Sequence, residues 1–399
     1  MWNVAQPITP IKKTTKSDIL VISRVFFPDM GGIQEYAYNR CLQDPDQIIV
    51  LTSACTDDQS FDGMQPFPIY RWPMFAMSGL GALGSILKQI LNIFWSVVLA
   101  IRLYRRYRYR YIEWCHGYDF PSLLLLSYLL PVRCFIYLHG DDVLCPMTNP
   151  ILRWLFEWTL RRTETIVCNS NFTSNYLTKH FQLNRPTRII HPTVRPEKFG
   201  QARAEQAFLR NHIRQQHQIP EKAIAILSVG RLVKRKGFHR VIENLPNLIA
   251  EGIDVHYIIC GQGAMESELK LYAEKLGVSS RVIFAGYVPD AELTGYYAAC
   301  DIFSMLTFFD SQQKSIEGFG IVYLEAGYFG KPVIASRVGG VEDAVRHGYN
   351  GLLVDPDSTY EISTTLHQLC VDPELRQRLG FQGQKLATRI TPHSTLYSN

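Results

Sequence analysis

The sequence predicts an α/β protein built from two doubly wound domains that face each other across a cleft. Short apolar runs, typical of buried parallel strands, alternate with helical patterns in the first half of the chain. A second series of the same kind begins after residue 222. Most runs end in small or polar residues, as in H-G-D-D and C-N-S-N. In an open α/β sheet such carboxyl ends line the ligand crevice.

Two series of strands also agree with the chain length, since 399 residues exceed what one hydrophobic core usually serves. The first series is predicted at residues 18–23, 47–53, 111–117, 132–140, 165–170 and 188–191. The second is predicted at residues 223–230, 255–261, 282–286, 301–306, 332–336 and 351–354. Prolines and a glutamine-rich helix separate them.

These breaks give the predicted domain boundaries. A polar tail at 1–17 precedes an N-terminal domain at 18–195, and residues 196–222 connect it to the second domain. The C-terminal domain covers 223–385, and 386–399 form a short tail.

Composition and terminal patterns predict a cytoplasmic protein. The net charge of +5 is mild, and the odd count of nine cysteines, with no C-x-x-C pair, predicts free thiols in a reducing compartment. The first seventeen residues lack the apolar region of a signal peptide. The apolar stretch Ile86–Ile101 is sixteen residues long and interrupted by polar side chains. It is shorter than the roughly twenty residues of a spanning helix, so no membrane span is predicted.

The stretch S-I-E-G-F-G-I-V-Y-L-E-A at 315–326 carries the strongest chemical signal. Glu317 and Glu325 stand eight positions apart, and a glycine-flanked turn precedes a helical pattern. Free N–H groups at a helix start hold anions. On a helix the two carboxylates would lie about 80° apart around the axis, so they are predicted to contact one ligand from neighbouring directions. A nucleotide sugar suits such a site.

A basic loop, G-R-L-V-K-R-K-G, follows the first strand of the second series. Arg231 and Lys236 are predicted to neutralise a diphosphate, Arg231 by bidentate contact and Lys236 as a point charge. Because Lys234 and Arg235 are also present, the alternative is a solvated basic loop.

Glycines and backbone groups end the next two strands. Gly261 and Gly263 permit either close approach of a ligand or a tight turn. Backbone groups at Tyr287 and Val288 are candidates for contact with a nucleobase.

The order of these motifs resembles the retaining GT-B glycosyltransferases of family 4 (glycosyltransferases group 1). The motifs are G-R-L-(x)3-K-G, C-G-Q-G, F-A-G-Y-V-P-D-A-E-L, E-G-F-G-I-V-Y-L-E-A, K-P-V-I-A-S-R-V-G-G-V-E-D and N-G-L-L-V. In the first domain the likeness shows at F-P-D-M-G-G-I-Q, H-G-D-D and N-S-N-F-T. Within that family, G-G-I-Q and E-G-F-G-I-V-Y-L-E-A together are most similar to the phosphatidylinositol-mannoside mannosyltransferases.

The resemblance implies a GT-B fold of two Rossmann-like domains and assigns roles to residues. Arg231 and Lys236 would hold the donor diphosphate, Glu317 would sit by the donor sugar and Glu325 would bind the ribose. The other implied donor contacts are Gly261, Gly263, Tyr287, Val288, Phe319, Gly320 and Ile321.

From the first domain, the resemblance implies that the Gly31-Gly32 loop closes over the phosphates and that His139 reaches the transferred sugar. No metal or cofactor is expected, because the family that the sequence resembles does not need a metal. Family members usually end in a long helix that returns to the first domain. This chain ends in T-P-H-S-T-L-Y-S-N, so that crossover is expected to be shortened or missing.

Residues 88–110 couple an apolar helix to a run of arginines alternating with aromatics. The arginines are Arg102, Arg105, Arg106, Arg108 and Arg110. The run is predicted either to be the solvated end of a core helix or to attract an anionic membrane surface, which would make the protein peripheral on the cytoplasmic face.

The predicted function is transfer of a hexose of the mannose or glucose type, from a nucleotide diphosphate sugar to a hydroxyl of a glycan or lipid-linked saccharide. One alternative is a catalytically silent relative acting as a partner subunit. The other is a nicotinamide-dependent oxidoreductase using G-L-G-A-L-G at 79–84, which lacks a suitable strand before it and an acid after it. Nucleic acid is not an expected partner.

Overall fold

A computed structural model describes residues 17–75, 81–200, 205–389 and 393–397. Residues 1–16 of the predicted tail and the start of the 79–84 glycine motif lie outside these ranges. The described residues form two compact units. The N-terminal unit comprises the chain up to Cys168, Ser174–Ile190 and residues 393–397, and the C-terminal unit comprises 169–173 and 191–389.

The N-terminal unit contains a parallel sheet of seven strands among its described residues. The strands are β1 (Ile19–Ser23), β2 (Ile48–Ser53), β3 (Ile69–Trp72), β4 (Tyr111–Trp114), β5 (Arg133–Leu138), β6 (Thr165–Cys168) and β7 (Thr187–Ile189). Their order in the sheet is β3-β2-β1-β4-β5-β6-β7. Strand β3 was not predicted. Its sequence, I-Y-R-W, carries Arg71, whose guanidinium is paired with Asp62 at 2.7 Å.

Helices cover both faces of this sheet. They are α1 (Gly32–Gln43), α2 (Asp58–Gly63), α3 (Gly81–Tyr107), α4 (Phe120–Leu129), α5 (Asp141–Leu144), α6 (Pro150–Arg162) and α7 (Asn171–His180). Successive side chains of β1 point to opposite faces of the sheet and so enter two different hydrophobic cores. Leu20 and Ile22 pack in the core under α3, α4 and α6. Ile19 and Val21 pack in the core under α1. Fully buried strands of this kind explain the unbroken apolar runs.

The C-terminal unit repeats the architecture with six parallel strands in its described part. They are β8 (Ile224–Val229), β9 (Val255–Cys260), β10 (Val282–Gly286), β11 (Ile302–Met305), β12 (Val333–Ser336) and β13 (Gly351–Val354). Their order is β10-β9-β8-β11-β12-β13. In both sheets the order reverses beside the first strand, which is the doubly wound arrangement that the sequence predicts.

The helices of the C-terminal unit are α8 (Gln206–Gln216), α9 (Phe238–Ala250), α10 (Glu266–Lys275), α11 (Asp290–Ala299), α12 (Ile321–Tyr328), α13 (Val341–Ala344), α14 (Thr359–Val371) and α15 (Pro373–Ala387). Short 3₁₀ turns lie at Pro45–Gln47, Cys145–Thr148, Pro196–Phe199, Lys234–Lys236, Ser279–Arg281 and His393–Leu396.

The predicted connection at 196–222 belongs to the C-terminal unit. Arg214 on α8 is buried, pairs with Asp301 at 2.6 Å and donates to the carbonyls of Pro220 and Ala223. Ile213 packs so closely on α11 that a Cβ at Gly295 would lie 2.9 Å from it. The segment is therefore an integral layer of this unit, and the boundary falls after Ile190 instead of after residue 195.

The sequence predicts a shortened or missing crossover, and the described residues 393–397 return to the N-terminal unit as a 3₁₀ turn. The ring of His393 stacks on Tyr137 with centroids 5.9 Å apart. Tyr397 lies 4.6 Å from Tyr111, and its hydroxyl accepts a hydrogen bond from Arg40. The return is thus made by a short aromatic segment.

That segment covers a buried ion pair. Arg40 on α1 and Glu113 on β4 are both fully buried and lie 2.8 Å apart. The hydroxyl of Tyr137 donates to Glu113 as well. Because an isolated buried charge is costly, each partner requires the other and the hydroxyls around them.

Helix α3 is longer than the apolar stretch that the sequence indicates. Within Leu83–Tyr107, a span of 25 residues, an 18-residue window has a mean hydropathy of 1.6, so the helix is long and apolar enough to cross a membrane by length and composition alone. Two of its polar side chains nevertheless bond within the unit: Asn92 accepts from Trp72, and Ser96 donates to Ser122 on α4. These bonds fix α3 as a member of the helical layer.

The buried imidazole of His393 predicts a pH-dependent stability. Burial, reinforced by the charge of Arg40, lowers its pKa to about 3. A base with a lowered folded pKa loses stability as the pH falls below its unfolded pKa of about 6.5. Between pH 6.5 and 5.5 we expect a loss of about 1 kcal/mol in the free energy of unfolding, measured with urea.

The matched variant is His393→Asn, which keeps a polar side chain without a titrating ring. Its stability should change less over the same pH interval. Equal slopes for the two proteins would contradict the assignment.

Candidate functional site

Four loops meet at the carboxyl edge of the C-terminal sheet. They follow β8, β9, β10 and β11, and they carry the basic loop, the C-G-Q-G turn, Tyr287-Val288 and the Glu317 segment. Parallel strands place these loops at one edge, which is where ligands of doubly wound sheets bind.

The basic loop and the Glu317 segment are joined by an ion pair. Lys236 Nζ lies 2.5 Å from Glu317 Oε2, and Arg235 Nη1 lies 3.2 Å from the same oxygen. The three side chains are 12% to 13% exposed. Glu317 is therefore a nearly buried carboxylate held by two cations.

Burial and charge act in opposite directions on this pair. Burial alone would raise the pKa of Glu317, but Lys236 and Arg235 outweigh it and hold that pKa below its usual range. Desolvation lowers the pKa of Lys236, whereas Glu317 opposes the shift. Glu317 is thus ionised at neutral pH and keeps a high local density of charge beside the loop.

The loop divides its four cations between two environments. Arg235 and Lys236 turn onto Glu317, whereas Arg231 and Lys234 are exposed. Arg231 is close enough to lower the pKa of Lys236, and no carboxylate in the described part of the chain pairs with it. The fully solvated alternative is wrong for Arg235 and Lys236. Arg235 was not among the predicted site residues, because sequence spacing alone does not tell which cation of K-R-K turns inward.

Glycines fix the positions of these two segments. Gly237 has φ +72°, and a Cβ there would lie 1.9 Å from the carbonyl oxygen of Leu306. Behind the Glu317 segment, a Cβ at Gly340 would lie 1.8 Å from the carbonyl oxygen of Gly318, and the Gly340 N–H donates to the carbonyl of Glu317. Close backbone contact therefore seats the carboxylate.

The backbone packing of the protein requires glycine at positions 261 and 263, because a Cβ at either one would clash with a carbonyl oxygen. A Cβ at Gly261 would lie 1.9 Å from the Gly230 carbonyl oxygen, and one at Gly263 would lie 2.4 Å from that of Leu232. The tight-turn interpretation explains both glycines, since they let the C-G-Q-G turn support the basic loop. Their contact with a donor stays a prediction.

Helix α12 begins where the sequence predicts an anion-binding turn. Gly320 caps it with φ +88°, and the N–H groups of Gly320 and Ile321 donate to no acceptor within the described residues. Phe319 is buried, with its ring stacked on His191 at a centroid distance of 5.4 Å. The helix start therefore offers free donors next to Glu317.

Glu325 does not share its surroundings with Glu317. Because α12 starts at Ile321, Glu317 precedes the helix and the spacing around a helix axis does not apply to the pair. Glu325 is 2% exposed; Lys198 Nζ lies 2.7 Å from one of its oxygens, and the hydroxyl of Tyr297 donates to the other. The prediction that both carboxylates contact one ligand from neighbouring directions is not supported by these contacts.

Lys198 is a residue that the motif reading missed. It lies in the 3₁₀ turn Pro196–Phe199 and also reaches Asp290 at 3.4 Å, so a second acceptor stands beside Glu325. The sequence shows no motif at Lys198. It shows only that this residue lies in the segment between the two strand series. The ribose-binding role of Glu325 stays a prediction.

Tyr287 and Val288 follow β10 directly. Tyr287 is exposed, whereas Val288 packs partly against the core of the unit. Gly286 has φ +69°, and its carbonyl accepts from the Gly261 N–H, so the turn is fixed beside the C-G-Q-G segment.

The three predicted residues of the N-terminal unit lie at the carboxyl edge of its sheet. A Cβ at Gly32 would meet nothing within 4 Å, and one at Gly31 would meet only the flexible side chain of Gln34. Burial lowers the pKa of His139, whose Nε2–H donates to the Cys115 carbonyl at 2.8 Å. Its ring packs edge-on against Tyr36, which fixes a neutral imidazole at this edge.

Two family models match the chain. Glycosyl transferases group 1 covers residues 210–386, and Glycosyltransferase Family 4 covers residues 78–198. Together they match both units and most of the chain. The chain belongs to the GT-B glycosyltransferases.

Two similar curated proteins are mannosyltransferases. The GDP-mannose-dependent monoacylated alpha-(1-6)-phosphatidylinositol monomannoside mannosyltransferase of Corynebacterium glutamicum is 27% identical over 379 residues, covering 92% of each chain. The GDP-mannose-dependent alpha-(1-6)-phosphatidylinositol monomannoside mannosyltransferase of Mycolicibacterium smegmatis is 29% identical over 249 residues, covering 62% of this chain and 64% of the relative. The likeness to phosphatidylinositol-mannoside mannosyltransferases is thereby confirmed.

Solved structures share the fold. HepE from Anabaena, crystallised with UDP and glucose, superposes with a TM-score of 0.74 at 20% identity, over 95% of this chain and 97% of that one. Sucrose-phosphate synthase from Thermosynechococcus elongatus gives a TM-score of 0.76 at 19% identity, over 95% and 96%. At these identities the likeness shows the GT-B fold.

The backbone contact behind Glu317 predicts the effect of a single methyl group. Gly340→Ala should lower the free energy of unfolding by about 1–3 kcal/mol, because the added Cβ meets backbone at Gly318 that cannot rotate away. Gly63→Ala, where a Cβ meets open space, is the control and should cost less. Equal melting curves for the two variants would contradict this packing.

The pair at Glu325 predicts a second stability effect. Lys198→Met should cost about 3–5 kcal/mol, because it leaves a buried carboxylate with one neutral donor. Adding Glu325→Gln should recover a large part of the loss, since no uncompensated charge remains. A double variant no more stable than Lys198→Met alone would show that the ion pair is not the cause.

Proposed function

We propose that this glycosyltransferase transfers a hexose, with retention of anomeric configuration, from a nucleoside diphosphate sugar to a hydroxyl of a glycan or lipid-linked saccharide. The observation that supports it most is the cluster of Arg231, Arg235, Lys236 and Glu317 beside the free N–H groups of α12. Cations and helix donors suit a diphosphate, and a carboxylate suits sugar hydroxyls.

Arg231 and Lys236 take the leaving diphosphate in this proposal. Arg231 is exposed at the loop, so its guanidinium is available for bidentate contact without breaking an ion pair. Lys236 is positioned by Glu317 and adds a point charge. These cations stabilise the charge that develops as the bond breaks, and we propose that the reaction needs no metal ion or cofactor.

Glu317 positions the donor sugar in this proposal and is not a covalent nucleophile. One of its oxygens is held by both Lys236 and Arg235, which reduces its nucleophilicity. Retention then follows a front-face path. The bond from the anomeric carbon to the phosphate oxygen breaks, a bond from the acceptor oxygen forms on the same face, and the acceptor proton passes to the leaving phosphate.

The remaining predicted residues complete the donor contacts. Gly261, Gly263, Phe319, Gly320 and Ile321 supply backbone, Tyr287 and Val288 meet the base, and Glu325 binds the ribose. Gly31, Gly32 and His139 act from the N-terminal unit; the open space at Gly32 means that the fold itself does not demand a glycine there. His139, being neutral, offers hydrogen bonds to the transferred sugar.

The relatives direct the choice of substrates. The Corynebacterium relative depends on GDP-mannose and acts on a phosphatidylinositol monomannoside, whereas HepE was crystallised with UDP. We propose GDP-mannose as the first donor to test, UDP-glucose as the second, and a lipid-linked acceptor.

A lipid-linked acceptor requires access to a membrane. Arg102, Arg105 and Arg106 in the last turns of α3, and Arg108 and Arg110 directly after it, are all exposed. We propose that they attract an anionic surface, each adding about 1 kcal/mol at low ionic strength. Under this proposal the protein is peripheral, on the cytoplasmic face of the membrane.

The test is transfer or hydrolysis of radiolabelled GDP-mannose and UDP-hexoses, with lipid and saccharide acceptors. Glu317→Gln should lower kcat by about 100-fold or more with the KM for donor changed less than about threefold. Arg231→Ala should impair both kcat and KM, because it contacts donor and transition state alike.

Phe381→Ser, an exposed change in the C-terminal unit, is the control and should leave both constants unchanged. Equal turnover by wild type and Glu317→Gln would contradict the assigned role. Failure of every donor to bind or to be cleaved would favour a catalytically silent partner subunit.

A further inference from the structure

An apolar, aromatic surface covers two neighbouring helices of the N-terminal unit. It consists of six side chains that are 39% to 67% exposed. We name it the aromatic platform and define it as Leu125, Tyr128 and Leu129 on α4 together with Ile151, Trp154 and Trp158 on α6. Large apolar side chains grouped in this way on a protein surface mark a contact with a partner or a membrane.

Spacing and contacts make the platform one surface. Leu125 stands three and four positions before Tyr128 and Leu129 on α4, and Trp154 stands three positions after Ile151 and four before Trp158 on α6, so the members on each helix share a face. Trp158 Nε1 donates to the Tyr128 hydroxyl at 3.1 Å, which joins the two helices. The rings of Trp154 and Trp158 lie 5.1 Å apart. The opposite faces, including Leu126 and Phe156, are buried in the core, so the platform is not an unfilled part of it.

Arginines border the platform. The guanidinium of Arg162 lies 4.2 Å from the ring centroid of Tyr128 and donates to the Ser127 carbonyl. Arg161 pairs with Glu157 at 2.5 Å, and Arg153 donates to the His180 carbonyl. Helix α6 thus carries three arginines and one glutamate, while α4 carries no charged residue. The surface combines apolar area with net positive charge.

This combination suits the interface of a bilayer. Tryptophan and tyrosine present an apolar ring and a polar tip, which favours the headgroup level. Arginine extends its charge to anionic headgroups while its stem stays on apolar surface. The neighbouring helix continues the pattern, since α3 exposes Leu83, Ile86, Ile90 and Phe94 and packs on α4 through Ser96 and Ser122.

We propose that the aromatic platform inserts into the headgroup region of an anionic membrane and anchors the N-terminal unit there. The inference deepens the proposed membrane access, because it adds an apolar contact to the electrostatic attraction of the α3 arginines. Binding is measured without donor or acceptor, so its failure is distinguishable from failure of the transferase assignment.

The experiment is sedimentation of the full-length protein with two kinds of vesicle, phosphatidylcholine alone and phosphatidylcholine mixed with phosphatidylglycerol. The wild type should bind the mixed vesicles more tightly. Trp154→Gln/Trp158→Gln should weaken that binding at least about tenfold and leave a remainder that salt removes more readily. Brominated phosphatidylcholine should quench the tryptophan fluorescence of the wild type more than that of the variant.

Two further variants keep the test independent of folding. Leu125→Asn/Leu129→Asn alters the platform from α4 and should weaken binding in the same direction. Tyr360→Gln/Phe381→Gln changes two exposed aromatics of the C-terminal unit and should leave binding unchanged. Circular dichroism melts should be alike for all variants, because every changed side chain is exposed.

Three outcomes would overturn the proposal. One is no binding of the wild type to either vesicle. Another is binding that the tryptophan variant retains in full. The third is a wild-type dimer, seen by light scattering, that the tryptophan variant converts to monomer, since a second copy would then cover the platform.

Discussion

The ion pair between Glu317 and Lys236 is the contact on which the candidate site depends. It joins the loop after β8 to the segment before α12, two loops that lie far apart in the sequence and follow adjacent strands of one sheet. Burial strengthens the attraction between the two charges. It also means that each charge needs the other, because an unpaired charge in that environment would destabilise the fold. Gly237 and Gly340 help to position this ion pair, because both allow close backbone contacts that fix the two loops.

Different partners also separate the two carboxylates, Glu317 and Glu325. Glu317 lies before the helix and faces the basic loop, whereas Glu325 lies inside it and faces Lys198 and Tyr297. Each acid is paired with its own cation, so the two carboxylates are supported differently. In the proposed mechanism the cations around Glu317 favour a positioning role for it, and Arg231 and Lys236 neutralise the diphosphate.

The N-terminal unit combines a buried ion pair in its interior with an exposed aromatic surface on its outer helices. Its sheet carries a buried ion pair, Arg40–Glu113, that is covered by the returning segment with Tyr397. Its outer helices α4 and α6 carry exposed aromatics and arginines, far from the usual composition of a solvated helix face. Under the proposed function, a unit that contacts a lipid-linked acceptor would gain from both properties: a rigid interior and an outer surface that holds it at the membrane.

The sequence by itself determined the fold class and the two strand series, because buried parallel strands leave continuous apolar runs, and it supplied the candidate site residues, because the motifs follow those strands directly. It did not reveal β3, whose four residues include an arginine, nor the place of 196–222, where a charged helix packs through Ile213 and the buried Arg214. Only the tertiary structure decided that Arg235 and Lys236 turn inward, that Lys198 holds Glu325, and that Trp154 and Trp158 stay exposed beside Tyr128. The reason is physical: ion pairs and surface clusters join residues from different elements, and local sequence records neither the partner nor the side that faces water.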